Sequence, residues 1–425
     1  MNESFLHYLW QFQQFEKTNL QTTDGQAICV LKIGFLNSDA GPDFSNARLQ
    51  INEIEWAGCV EIHIKSSDWY LHNHQDDKAY QNVILHVVWE HNQAILREDG
   101  SEIPTLELKN IVSQNLLEKY EQLINNQQII PCEKQFKTVS ELAKIQTLDK
   151  VLLHRLEQKA QIVFSLLKAN HDDWEETAYQ LLAKNFGFKL NAEPFLQLAR
   201  NLSLKTLQKH RNSLTQIEAM LYGQAGFLNG NFSDEYIINL QKEHTFLAAK
   251  YQLKDKAVEL HEWKFLRTRP ANFPTVRLAQ FAQIVANQAS FFSAFVHYQD
   301  IKALKKSLAI SQSEYWQEHH SIEKQSKQKL KGLGKDSVDN ILINTIIPLL
   351  VCYAQVFDNQ EYIDKAIGLL ETLPAEKNHI TDFWEGLGQK TKNAFDSQAS
   401  IALYNDFCKQ KKCLQCKIGI EIMKI

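Results

Sequence analysis

Hydrophobic positions change their period along the chain. Over residues 1–20, Phe5, Leu9, Phe12 and Phe15 fall near one face of a helix, with polar residues between them. The next stretch has a different rhythm: short β-branched or alternating runs over 27–35, 47–54, 59–65, 82–89 and 94–97, separated by Asp, Asn and Gly clusters. That punctuation predicts a sheet, with 103–108 as a last short strand. In CVEIHIK, Val60, Ile62 and Ile64 point one way while Glu61, His63 and Lys65 point the other. From about residue 111 the period becomes helical, over 112–123, 139–169, 174–185, 194–202, 204–221, 233–251, 276–290, 298–304, 336–357 and 362–373. A Gln/Asn-rich stretch over 125–134 separates the two regimes. The expected class is α+β: a small mixed α/β sheet module over residues 1–125, followed by a large all-α domain over 126–425.

Composition narrows the class without fixing a function. The chain has 425 residues, 46 Lys+Arg against 50 Asp+Glu and 44% hydrophobic residues, the profile of a globular protein of two to four domains. Its 15 Gly and 8 Pro are too few for a collagen-like or largely disordered chain. No apolar run reaches the ~18–20 residues of a membrane span, so no membrane association is expected. The N-terminus MNESFLHYLWQFQQFEK lacks the pattern of a signal peptide. The expectation is a cytoplasmic protein with reduced cysteines. Charge is uneven: residues 1–110 hold 7 Lys+Arg and 16 Asp+Glu, net −9, and the remainder is net +5. An acidic N-terminal part repels a polyanion unless metal ions offset it, so a grip on nucleic acid would come mainly from the C-terminal part.

The densest polar segment runs from GPDF at 41–44, through WAGCVEIHIKSSDW at 56–69, to LHNHQDD at 71–77. Asp43 follows a Gly-Pro turn at a strand start, and Glu61 and His63 share one strand face. A hairpin between 47–54 and 59–65 needs a bend between Asp43 and Ala47 before the two carboxylates can meet. Two converging carboxylates can hold Mg²⁺ or Mn²⁺. Such a metal lowers the pKa of a bound water, and a neighbouring basic group orients the attack. The order Pro42-Asp43 … Glu61-Ile62-His63 resembles the PD-(D/E)xK nuclease pattern. The resemblance implies a restriction-endonuclease-like module, with Asp43 and Glu61 as metal ligands and His63 or Lys65 assisting. Nucleases of that superfamily usually carry Lys where this chain has His63, and Lys65 stands two residues further on. A second set competes. His72 and His74, joined by His86 from the next strand, would complete a Zn²⁺ or Fe²⁺ site. The plainer alternative makes His72 and His74 exposed loop residues and His86 a hydrogen-bonded core residue.

Taken together, GPDF, W-x-G-x-VEIH, SDW, H-x-H and Y-x-NVILHVVW, with NFGFKLNAEPF, IEAMLYGQAGFL and FLRTRPANFPTVRLAQ further on, resemble an uncharacterised bacterial protein family of unknown function. The resemblance covers nearly the whole chain and implies no activity.

Three features of the helical region bear on chemistry. Arg267, Arg269 and Arg277 surround Pro270 and Pro274, a stiffened setting in which guanidinium groups can be held for phosphate. The alternative is an ordered loop whose arginines pair with carboxylates or helix ends. LKGLGKDSVDNI at 330–341 spaces two glycines as in a phosphate-binding helix hairpin, or forms a plain loop capped by Asp336 or Ser337. The tail places Cys408, Cys413 and Cys416 as C-x4-C-x2-C among lysines, part of a zinc or iron–sulfur site. A fourth ligand would be Cys352 or His379, and reduced structural thiols are the alternative. The leading expectation is therefore a Mg- or Mn-dependent nuclease with nucleic acid as its partner. Its rivals are a non-catalytic nucleic-acid- or protein-binding scaffold, and a metal-dependent enzyme built on His72, His74 and His86.

Overall fold

The computed structural model describes residues 1–37, 39–254 and 256–424. The class is α+β, a mixed sheet followed by a large helical region. The chain forms two compact units, one from Met1–Thr147 with Leu403–Ile425, the other from Leu148–Ala402. This differs from the division expected at residue 125/126. Ser140 explains why the first unit runs further and reclaims the tail: its N–H and hydroxyl donate to the Glu421 carboxylate at 2.6 and 2.8 Å.

The first unit opens with helix α1 (Glu3–Phe12), which ends where Gln13 turns left-handed (φ 47°) and so is shorter than the expected twenty residues. Strands β1 (Ile28–Lys32), β2 (Phe35–Leu36), β3 (Phe44–Ile51) and β4 (Ile54–Lys65) follow. A short helix α2 (Asp68–Leu71) then leads across to β5 (Val83–Glu90) and β6 (Thr105–Glu107). The sheet order is β1-β3-β4-β5-β6, with β2 beside β3. β1, β3 and β4 are an antiparallel meander, and β4-β5-β6 are parallel. The expected strand over 94–97 makes one isolated bridge, Leu96 to Glu102, because the chain turns at Gly100 (φ 82°).

Two details of this sheet position the chemistry. The β3–β4 register slips between Phe44 and Ala47, with Asn46 left-handed at φ 55°, and this bend brings Asp43 beside Glu61. Parallel pairing then sets Glu61 against His86 and His63 against Val88. Helix α1 packs on β4 through its apolar face, where Phe5, Leu6, Leu9 and Trp10 are fully buried. It is pinned by the Trp10 indole N–H donating to the Ile33 carbonyl at 3.0 Å and by Phe5 stacking on Tyr120 of α3 (Gln114–Ile124) at 4.1 Å. Glu3 and His7, one turn apart, are thereby held at the sheet end that carries Asp43.

The second unit is helical apart from one short hairpin, His319–Ser321 with Lys324–Gln325. Its run Lys335–Phe357 is long and apolar enough to cross a membrane, contrary to the expectation that no run would be; Asn340, Asn344 and Thr345 interrupt the apolar letters, yet the mean hydropathy of its most apolar window stays at 1.7. Of its most apolar window, 67% is buried within the fold, as in a core helix. Glu218, on the helix Leu214–Gln224, is also buried and accepts from the Tyr236 hydroxyl and from Ser313 Oγ at 2.7 Å. Burial pushes its carboxyl up to about 7, against the pull of those two hydrogen bonds.

Two predictions follow from this architecture. A Cβ at Gly58 would lie 2.5 Å from the Asn82 carbonyl oxygen, the acceptor that opens the β4–β5 pairing through Cys59 N–H. Gly58→Ala therefore destabilises the protein by about 1–3 kcal/mol in urea unfolding, and an unchanged midpoint would show that the start of β5 moves freely. For Glu218 the native state holds its proton above the usual carboxylate pKa. Its contribution is complete below about pH 4.5 and is lost as pH rises through about 7. The stability difference between wild type and Glu218→Gln should thus shift by about 3 kcal/mol between pH 4 and pH 8, read from urea curves at both pH values.

Candidate functional site

β4 supplies the centre of the site. Alternation along the strand puts Glu61 and His63 on one face, both buried, while Val60 and Ile62 fill the opposite side. From the crossover after α2, His72 and His74 arrive beside them. The ligand atoms of His63, His72 and His74 all lie within 4.8 Å of one another. His63 Nε2 is 3.1 Å from His72 Nδ1 and 3.6 Å from Glu61 Oε1, and His74 Nε2 is 3.3 Å from the same Glu61 oxygen. His74 Nε2 is buried and makes no hydrogen bond.

These separations have a simple meaning. Ligand atoms about 2.1 Å from one metal ion stand roughly 3.0–3.4 Å apart. Two of the contacts, His63–His72 and His74–Glu61, are at such spacing already, and the three imidazoles lie within 4.8 Å of one another. The surrounding groups fix their orientations. His63 Nδ1 meets His86 Nε2 at 2.8 Å, which leaves His63 Nε2 facing His72 and Glu61. Tyr80 stacks on the His74 ring at 3.8 Å, and Trp69 stands edge-on to it at 5.4 Å. A cavity of about 210 Å³ opens beside His74, lined by Trp69, Asp77, Tyr80 and Arg97 among others.

Asp43 is clasped to this group. Its N–H donates to Glu61 Oε2 at 3.1 Å, and its own Oδ2 accepts from the Ile62 N–H at 3.0 Å. The same Oδ2 lies 3.1 Å from His7 Nε2. Burial, and then the neighbouring Asp43, push the Glu61 carboxyl far above the carboxylate range. Burial, and then His74 and His72, hold His63 down to about 3. His74 is lowered by burial and His72, and His86 well lowered by burial and His63. His63, His74 and His86 are thus held toward the neutral form, and neutral imidazole is the form that binds a metal.

The placement of the expected residues is mixed. Asp43, Glu61 and His63 come together with His72 and His74, merging two sets that the sequence presented as rivals. His86 is not the third imidazole: it lies behind His63 and holds it. Lys65 is exposed, and its N–H donates to Asp68 Oδ2 at 2.9 Å. Glu3 and His7 were missed, although Glu3-x-x-x-His7 on an amphipathic helix puts both on one face. Glu3 is close enough to feel His72, Asp43 and His7, and burial raises its carboxyl.

Arg267 and Arg269 are exposed, whereas Arg277 is buried, so the three do not present one surface to a polyanion. Arg277 donates to Asn272, Gln280 and Ser337 and stacks over Phe188 at 4.5 Å. Cys408, Cys413 and Cys416 are buried together in the first unit, where they share a small cavity with Cys132. Cys352 and His379, proposed from sequence as a fourth ligand, belong to the second unit.

The profile of a protein family of unknown function, DUF2851, matches residues 3–379. The chain belongs to this family. No curated protein and no solved structure matches it. Every residue of the Glu61–histidine group, with Asp43, Glu3 and His7, falls inside the matched DUF2851 segment.

Proposed function

We propose that this DUF2851 protein is a metal-dependent hydrolase of phosphodiester bonds, with its ion held by Glu61, His63, His72 and His74. The observation that carries the reading is the cluster of three imidazoles whose ligand atoms lie within 4.8 Å of one another, two of them beside one buried Glu61 oxygen, with a nitrogen of His74 left without any hydrogen bond. Such a donor set suits Mn²⁺, Zn²⁺ or Fe²⁺ better than Mg²⁺, which prefers oxygen ligands and octahedral waters. A bound ion would supply a water of lowered pKa and polarise a phosphoryl oxygen.

The protein's own groups account for the remaining roles. Asp43, partly exposed and steadied by the Ile62 N–H and His7, is placed to take the proton of the attacking water. His7 holds that carboxylate in position and stabilises it once the proton has moved. His86 keeps the His63 ring turned so that its Nε2 faces the ion. Glu61 gives up its proton on metal binding, so affinity rises with pH. The phosphodiester assignment draws support from the order Pro42-Asp43 … Glu61-Ile62-His63 and from the Asp43 N–H that donates to the Glu61 carboxylate, which sets the two residues side by side.

The test separates the ion from the chemistry. Calorimetry with Mn²⁺, which the thiolate-rich cysteine cluster disfavours, should give one site in the N-terminal unit. His74→Ala should weaken it about 10–100-fold, while Asp43→Asn retains it. Cleavage of single- and double-stranded DNA and of bis(p-nitrophenyl) phosphate should fall about 100-fold or more in Asp43→Asn. Absence of a site lost in His74→Ala would overturn the metal assignment. A metal-loaded protein that cleaves none of these substrates would overturn the hydrolytic one.

A further inference from the structure

A second donor cluster lies in the same unit and shares no residue with the first. Cys408, Cys413 and Cys416 come from the tail and Cys132 from the loop after α3, 276 positions earlier than Cys408. All four line one cavity of about 10 Å³, together with Pro131, Phe407 and Lys412. That volume is roughly the room for one atom-sized occupant and too small for an organic ligand. The exposures are 6%, 9%, 7% and 8% for Cys132, Cys408, Cys413 and Cys416, and none is in a disulfide.

We infer that Cys132, Cys408, Cys413 and Cys416 are the four ligands of a thiolate-bound metal centre. Four cysteines from two distant segments, lining one small cavity, are a complete donor set for a thiophilic metal. The second ligand segment is rich in cations: Lys409, Lys411, Lys412 and Lys417 flank its cysteines. They offset the negative charge that four thiolates leave around a dication. Burial, and then the neighbouring sulfurs, raise Cys132 and Cys408 well above the thiol range, and the same causes bring Cys413 to about 12. Loading the centre replaces four S–H bonds by four S–metal bonds and releases four protons to solvent, with no change of oxidation state.

Two occupants share this chemistry. Zinc matches the small cavity but must draw the sulfurs closer, since no three of them lie within 4.8 Å of one another as the imidazole set does. A preassembled iron–sulfur cluster matches the wider spread but needs more room. In either form the centre ties the loop that precedes the helical unit to the segment that follows it, and so closes the long excursion of Leu148–Ala402. Its role is structural, and it is independent of the proposed hydrolytic reaction.

The experiment uses full-length protein purified without oxygen. Elemental analysis should find one zinc per chain at this site, or iron with acid-labile sulfide and absorption near 400 nm; either supports the centre and identifies it. Cys132→Ser and Cys413→Ser should each lower that metal at least tenfold, whereas Cys29→Ser, at an exposed cysteine, leaves it unchanged. The wild type supplies a readout that needs no variant. A chelator strong enough to strip the centre should raise alkylation of Cys132, Cys408, Cys413 and Cys416 together and leave buried Cys352 as it was. Protein with neither metal, full occupancy in Cys132→Ser, or labelling that ignores the chelator would each overturn the inference.

Discussion

A carboxyl group buried against imidazole nitrogens is the constraint on which the N-terminal site depends. Glu61 has its Oε1 between His63 and His74, at 3.6 and 3.3 Å. Burying a polar group without a partner costs about 1–3 kcal/mol, and burying a charge costs more. The fold nonetheless collects Glu61, three imidazoles and a second carboxylate in one place. It buries Glu61 and His63 among them. A single divalent ion, as proposed, would satisfy the oxygen and the orphaned nitrogen at once and reverse the penalty on the buried carboxylate.

The scaffold makes this arrangement rigid. Glu61 and His63 sit on β4, a strand paired on both sides, so their spacing is set by backbone hydrogen bonds. His86 comes from the parallel neighbour at a fixed register and props the His63 ring. The mobile-looking partners, His72 and His74, lie on the crossover, but Tyr80 and Trp69 confine the His74 ring by stacking. Helix α1 contributes Glu3 and His7 because its opposite stripe, Phe5, Leu6, Leu9 and Trp10, is needed to cover the sheet. Packing and chemistry therefore use different faces of one helix.

What could be read from sequence follows the range of the interactions involved. The pairing of Glu61 with His63 was legible because strand alternation is local, and so was the bend after Asp43 as a requirement. The choice between His63 and His86 as the third imidazole was not, since it turns on parallel register across a crossover of seventeen residues, 66–82. Treating the carboxylates and the histidines as alternatives failed for the same reason: only the register shows that they share a face. Glu3 and His7 carried an i, i+4 signal, but nothing local says which strand end the helix covers. Cys132 was invisible as a partner of the tail because 276 positions separate it from Cys408. The unit boundary was misplaced by the same docking of the tail, held by Ser140 and Glu421.

The charge of the N-terminal part fits this picture in a specific way. Residues 1–110 carry a net −9, although burial raises the carboxyls of Glu3 and Glu61 at the site itself. A surface of that sign attracts cations and repels phosphate. On the proposed function, a phosphodiester would therefore approach more readily after an ion had changed the local sign. The same logic sorts the two donor clusters of the unit. The nitrogen-and-oxygen set sits beside an accessible 210 Å³ cavity where a substrate can reach it. The four cysteines line a space of only about 10 Å³, too small for a substrate, which suits the structural role inferred for them.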